Sequence, residues 1–207
     1  MNHRGNIRWL RSLITSAVVC SAVAAVGLIG SGYLYKESRT IAQQTLPALS
    51  YMALANQFRS EAFLHLICAI NARDAEEFKR EEAEVHGFSD QAHTELTLFR
   101  CNSSRAETNQ LFDKLMIERV EMLKIREEIL SKARLGDPSA AKMEFVSNFL
   151  PVYDHYLDDY EILINHISND GIAQADRISV ISRWTLIFTF ISCMFIFIFG
   201  FFLGYTR

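Results

Sequence analysis

Two long stretches of this chain carry no charge at all, residues 12–35 and 184–206. Each is longer than the roughly 20 apolar residues an α-helix needs to cross a hydrocarbon core about 30 Å thick. A charge at the centre of such a span costs on the order of 2.5–3.5 kcal/mol, so a charge-free run is its expected signature. The section between them is different in kind. All 24 Asp and Glu residues lie between Glu37 and Asp176. Seventeen of the 21 Lys and Arg residues fall between Lys36 and Arg183, leaving that section a net charge of -7. The sequence therefore predicts a short N-terminus (1–11), a first transmembrane helix (12–35), a water-soluble domain (36–183) and a second transmembrane helix (184–206). An acidic soluble domain offers no basic footprint for nucleic acid.

Arg4, Arg8 and Arg11 precede the first span, which places the N-terminus in the cytoplasm; two crossings return the C-terminus there, with Arg207 as a basic stop. The central domain then lies outside the cytoplasm. A cleaved signal peptide is the rival for the first span, since Ala22-Val-Ala24 could serve as a cleavage site. The apolar run continues to Tyr35, which favours an uncleaved anchor. Lipidation at Cys20 is disfavoured because Val19 stands where a small residue is wanted.

The central domain reads as all-α, an up-down-up-down four-helix bundle. Span one runs without a breaker into a first bundle helix reaching about Ala72. Asp74-Ala-Glu-Glu77 is a capping box for a second helix to about Arg100, and Ser104-Arg-Ala-Glu107 for a third to Leu135. Gly136-Asp137-Pro138 supplies a C-cap glycine, an N-cap and an N1 proline in succession, opening a fourth helix that continues into span two, loosened around Asn169-Asp-Gly171.

Apolar stripes with alternating steps of four and three suit left-handed antiparallel packing. They run through Leu49, Ala53, Asn56, Ser60, Phe63, Ile67 and Ile70 on the first helix. On the third, Leu111, Leu115, Met122, Ile125 and Ile129 follow the rule with Glu118 filling a gap. Phe149, Tyr153, Tyr156, Tyr160, Leu163 and Ile167 form the fourth stripe, while Phe78, Val85, Ala92 and Phe99 recur every seven residues on the second. In span one, Ser16, Cys20 and Ala24 form a small-residue stripe suited to a homodimer contact; span two is crowded with phenylalanine and has Gly200 and Gly204 at small-xxx-small spacing.

This layout resembles the input half of bacterial methyl-accepting chemotaxis receptors, with their four-helix-bundle sensor domain. The likeness covers nearly the whole chain and includes Thr45-Leu-Pro-Ala48, the Arg59 segment, Gly136-Asp137 and Leu150-Pro151. It implies a dimeric chemotaxis-type sensor for signal transduction. Such a sensor binds a small molecule or a periplasmic binding protein and shifts one helix across the membrane. A receptor of that family continues past its second span into a HAMP linker and signalling tail. Here Arg207 follows span two, so the expectation is the input half of something larger or a module with a separate signalling partner. The alternative is a membrane-anchored adaptor or scaffold whose bundle binds another protein.

Arg59 shares a heptad row with Met52 and Leu66, and counting down from the distal turns sets it level with Tyr153, with Asn56 level with Asp154. An arginine flanked by Asn and Tyr at a helix interface could clamp a carboxylate. Asn56, Arg59, Tyr153 and Tyr156 are the candidate ligand contacts, with Pro151 bending helix four to make room. The competing reading is an ion pair between Arg59 and Glu118.

His86 and His93 are seven apart, His155 and His166 eleven apart, and His65 stands alone, so no metal or other cofactor is expected. Cys68 and Cys101 are too far apart along the bundle axis to join within one chain. The run Glu81-Glu-Ala-Glu84 reads as a solvated helix face. No phosphate loop, nucleophile elbow or zinc cluster is present, so an enzyme is not expected.

Overall fold

The computed structural model describes residues 3–103 and 105–205, with side chains at 18, 20–103, 105–195, 197 and 198. The basic flank at Arg4, Arg8 and Arg11, Ser16, Ser104, the Gly200–Gly204 pair and Arg207 lie outside the described side chains. Every described element is helical. The α-helices are α1 (His3–Thr40), α2 (Leu46–Ile70), α3 (Ala75–Asn102), α4 (Ala106–Arg134), α5 (Pro138–Glu144) and α6 (Leu150–Tyr205), with π-helical turns at Ile41–Thr45 and Phe145–Phe149. The chain forms two compact units, one of residues 42–171 and one of residues 1–41 with 172–207.

Local chemistry accounts for the helix ends of the first of these units. Asp74 accepts from the amide of Glu77, and the Glu77 carboxylate reaches back to the amide of Arg73, so α3 starts where its capping box predicted. At the end of α4, Gly136 takes φ 79°, a left-handed value that costs a residue with a Cβ. Its amide bonds to Ala133, and that of Asp137 to Lys132, the paired bonds of a Schellman ending. Asp137 then caps α5 by accepting from Ala140. The predicted box at Ser104–Glu107 is displaced: α4 opens at Ala106, with Arg105 as a cap whose side chain bonds to Asp170 rather than to the helix end.

The two prolines inside helices each follow a π-helical turn. Proline lacks an amide hydrogen and its ring collides with the carbonyl four residues back. For Pro47 that carbonyl belongs to Gln43 and for Pro151 to Ser147, each inside a wide turn that relieves the clash. The first bundle helix is thus interrupted by a wide turn, contrary to the sequence reading, and a second wide turn precedes Pro151. No loosening occurs at Asn169–Gly171, where α6 is continuous. Gly171 has a different reason to lack a side chain: a Cβ there would lie 2.9 Å from the Thr45 methyl carbon.

Contacts between helices fix the bundle's direction. His65 meets Glu81 and Phe58 meets Phe88 (α2 with α3); Glu82 meets Arg134 and Arg100 meets Asp113 (α3 with α4). Lys132 meets Glu144 and Lys114 meets Asp159 (α4 with α5 and α6). Phe63 stacks on Tyr153, and the Tyr160 hydroxyl donates to the Met52 carbonyl (α6 with α2). In each set one number rises as the other falls, so the four helices of the bundle alternate up and down.

Their buried rows keep the steps of four and three. All six predicted residues of the last helix, Phe149 to Ile167, are buried, as are Phe78, Val85, Ala92 and Phe99 of α3. On α2 the row shifts by one position except at Ile70, which is buried as expected; on α4 Leu115, Met122 and Ile129 hold and the steps between them shift by one. On α2 the core takes Ala48, Met52, Ala55, Ala62, Leu66 and Ala69, while Ala53 and Ser60 are exposed. On α4 it takes Thr108, Phe112, Leu115, Arg119, Met122, Arg126 and Ile129, with Leu111 and Ile125 only partly buried. Glu81 is also buried, so the glutamate run on α3 is not wholly a solvated face.

In the second unit, the half-buried residues of α1 include Val23, Gly27, Gly30 and Leu34, again at four-three spacing. A Cβ on Gly30 would come within 2.9 Å of the Thr185 hydroxyl of α6, so glycine lets these two helices approach. Cys20 and Ala24 lie exposed, on a different face. Among the described residues, one helix is long and apolar enough to cross a membrane, the apolar end of the last helix, with a mean hydropathy of 1.6 over its best window.

Candidate functional site

The corrected rows place three arginines at core positions. Arg59 fills the gap between Ala55 and Ala62 on α2, and Arg119 and Arg126 continue the α4 row through Met122. All three line one small cavity of about 30 Å³, together with Phe63, Ser89, Tyr153 and Tyr156. No Asp or Glu is among the lining residues.

Each guanidinium is held differently. Arg59 donates to the Asn56 side chain and lies over the Tyr153 ring at 5.0 Å and the Tyr160 ring at 5.8 Å. Its Nε and Nη1 are buried without a hydrogen-bond partner. Arg119 donates from Nη2 to the Ser89 carbonyl at 3.1 Å, and burial lowers its pKa below the ordinary arginine value. Arg126 donates from Nε and Nη2 to Glu127 at 3.1 and 2.6 Å. Taking a guanidinium out of water costs several kcal/mol unless something answers its charge.

The tyrosines supply an aromatic wall. Phe63 stacks on Tyr153 at 4.6 Å, and Phe149 flanks the same ring at 5.6 Å. Burial pushes the Tyr156 phenol up to about 12 and raises Tyr153 and Tyr160 as well, so all three are neutral hydrogen-bonding groups at physiological pH. The site offers fixed positive charge, neutral phenols and ring faces. It can hold a small anion; it contains no nucleophile–base pair with which to transform one.

Of the predicted contacts, Asn56, Arg59 and Tyr153 come together as expected, and Tyr156 lines the same cavity. The ion pair between Arg59 and Glu118 is not formed. Glu118 instead faces Asp159, with Lys114 and His155 nearby, and its pKa is raised, chiefly by burial. Arg119 and Arg126 were missed because a charged residue breaks an apolar stripe. The signal was nonetheless there: Leu115, Met122 and Ile129 are seven apart, and the intervening core steps fall on 119 and 126.

His65 does not stand alone; its Nδ1 lies 2.7 Å from Glu81 and its ring stacks on Phe88 at 5.3 Å. His86 lies 3.9 Å from Glu127 and His166 3.7 Å from Asp170. Cys68 and Cys101 are free and exposed. No protein-family model matches the chain, nor does any curated protein or solved structure.

Proposed function

We propose that this chain is a membrane-anchored sensor module of the chemoreceptor type, whose bundle binds a small organic anion among Arg59, Arg119 and Arg126. The observation that carries the reading is the pair of buried, partnerless nitrogens on Arg59, a residue that lines a cavity together with two more arginines and no carboxylate. Buried charges are normally paired, and an anionic ligand is the pairing this arrangement lacks. The cavity of about 30 Å³ suits a carboxylate group alone, so a larger acid must part the helices as it enters. The wide turn at Phe145–Phe149, one turn from Tyr153, is the natural place to yield.

On this reading both apolar helices cross the inner membrane, the termini are cytoplasmic, the bundle is periplasmic and two copies associate through the exposed Cys20–Ala24 face of α1. Support comes from the exposed Phe188, Phe190, Phe195 and Phe197, a surface suited to lipid rather than water. The helix that lines the site with Tyr153 and Tyr156 continues to Tyr205, which gives ligand binding a mechanical route to the membrane segment.

Thermal unfolding of the full chain in detergent, with and without a panel of mono- and dicarboxylates, tests the binding. A stabilising acid whose effect disappears in Arg59→Met and Arg119→Met supports the reading. Stabilisation by none of the panel, or by one that both variants retain, overturns it. The adaptor reading is favoured by one feature, an open cleft of about 630 Å³ at the far end of the bundle, lined by Ile70, Phe78, Arg73 and Lys79. Pull-down of a single partner by the full chain, lost on Phe78→Asp, would support that role instead.

A further inference from the structure

Away from the arginine cavity, α4 and α6 bring two carboxyl groups together. Asp159 is more than nine-tenths buried, and its Oδ1 accepts from Lys114 at 2.6 Å. Its other oxygen, Oδ2, is buried with no donor. Glu118, one turn along α4 from Lys114, faces it, and the Glu118 Oε2 is likewise buried with no donor. Two acceptors turned toward each other cannot satisfy one another while both are ionised. One proton answers both: a protonated Glu118 donates to Asp159, and the single remaining negative charge is the one Lys114 neutralises.

We infer that Glu118 and Asp159 form a pH-responsive contact, in which a proton held on Glu118 joins α4 to α6 and its loss at higher pH loosens them. The charged groups around it are few. Lys114 stands on the same helix as Glu118, and His155 of α6 lies within electrostatic reach. On α2, Arg59 lies over the Tyr153 and Tyr160 rings, and on α3 Asp90 acts electrostatically on Arg119.

The raised Glu118 pKa has burial as its largest cause and Asp159 next, which agrees with the geometry. The folded chain keeps a proton that the unfolded chain releases above the ordinary value of 4.5. The contact is therefore fully stabilising at low pH and is lost as pH rises through the folded value. Each unit of elevation is tenfold in the folding equilibrium. This device stands on its own geometry and does not depend on the anion-binding reading.

Infrared spectroscopy of the full chain in detergent, with amide exchange in parallel, tests it. The expected result is a protonated-carboxyl band that persists above pH 4.5, fades as the pH is raised further and is absent in Glu118→Gln. Amide exchange around 114–118 and 155–159, corrected for its intrinsic pH dependence, should rise in the parent as that band fades, tenfold for each unit by which the Glu118 value is raised. It should stay flat in Glu118→Gln. Asp159→Asn provides a second reading: an amide can donate to an ionised Glu118, so the band should vanish and the slope flatten there too. A pH slope that persists unchanged in both variants, or a band that survives Glu118→Gln, overturns the inference.

Discussion

Arg119 sits where a bundle ordinarily places a leucine or methionine. Its buried guanidinium makes one hydrogen bond, to the Ser89 carbonyl. Replacing a buried charge by an apolar side chain of similar volume is often neutral or stabilising by about 1–4 kcal/mol. Arg119→Met is therefore expected to raise the denaturation midpoint of the unliganded chain while abolishing anion binding. A loss of stability would indicate that the charge is answered within the fold. Tyr160 gives the opposite case. Its hydroxyl donates to the Met52 carbonyl in the core, so Tyr160→Phe should cost about 1 kcal/mol in a denaturant titration. Charged core residues of this kind are what a search for apolar stripes passes over. Arg59 was noticed because Asn and Tyr stood near it in the sequence count; Arg119 and Arg126 had no such company on their own helix.

Among the helices, the legibility of each row followed the size of its side chains. The last helix announces its core face with Phe149, Tyr153, Tyr156, Tyr160, Leu163 and Ile167, and no neighbouring row competes. On α2 the larger Leu49, Phe63 and Ile67 drew the predicted stripe one position off, because alanines (Ala48, Ala55, Ala62 and Ala69) fill most of the true row beside Met52 and Leu66. Small residues bury little area and weigh little in a count, yet they set how closely two helices approach. Helix ends were more readable, since caps are local. Asp74→Ala should cost about 1 kcal/mol by losing the bond to the Glu77 amide. Gly136→Ala, at φ 79°, should cost about 1–2 kcal/mol. Thermal melts of the two variants should show them additive, the sites being at separate turns. At Gly171, valine should destabilise by about 1–3 kcal/mol through collision with Thr45, and Thr45→Ser, which removes that methyl, should recover part of the loss.

For the whole molecule, pH sorts the carboxylates into opposing sets. Hydrogen bonds from His65 and Lys132 hold Glu81 and Glu144 below the ordinary glutamate value. Their contribution is present above 4.5 and is lost as pH falls through the lowered values. Glu118 acts in the other direction, so unfolding midpoints measured across pH should fall both below 4.5, as Glu81 and Glu144 are protonated, and at higher pH, as Glu118 loses its proton. The proposed membrane anchoring predicts that tags at the two termini are reached from the same face of the membrane, and that the chain leaves it only with detergent. The sequence by itself determined the charge-free segments, the helical class, the turn at Gly136 and the aromatic row of the last helix. All of these depend on local composition, on caps, or on the period of a single helix. Only the tertiary structure decided that Arg59, Arg119 and Arg126 share a cavity, that Glu118 turns to Asp159 rather than to Arg59, and that prolines and glycines mark wide turns and close approaches. These follow from the rotation of each helix about its own axis, and that angle is set by the neighbours it packs against.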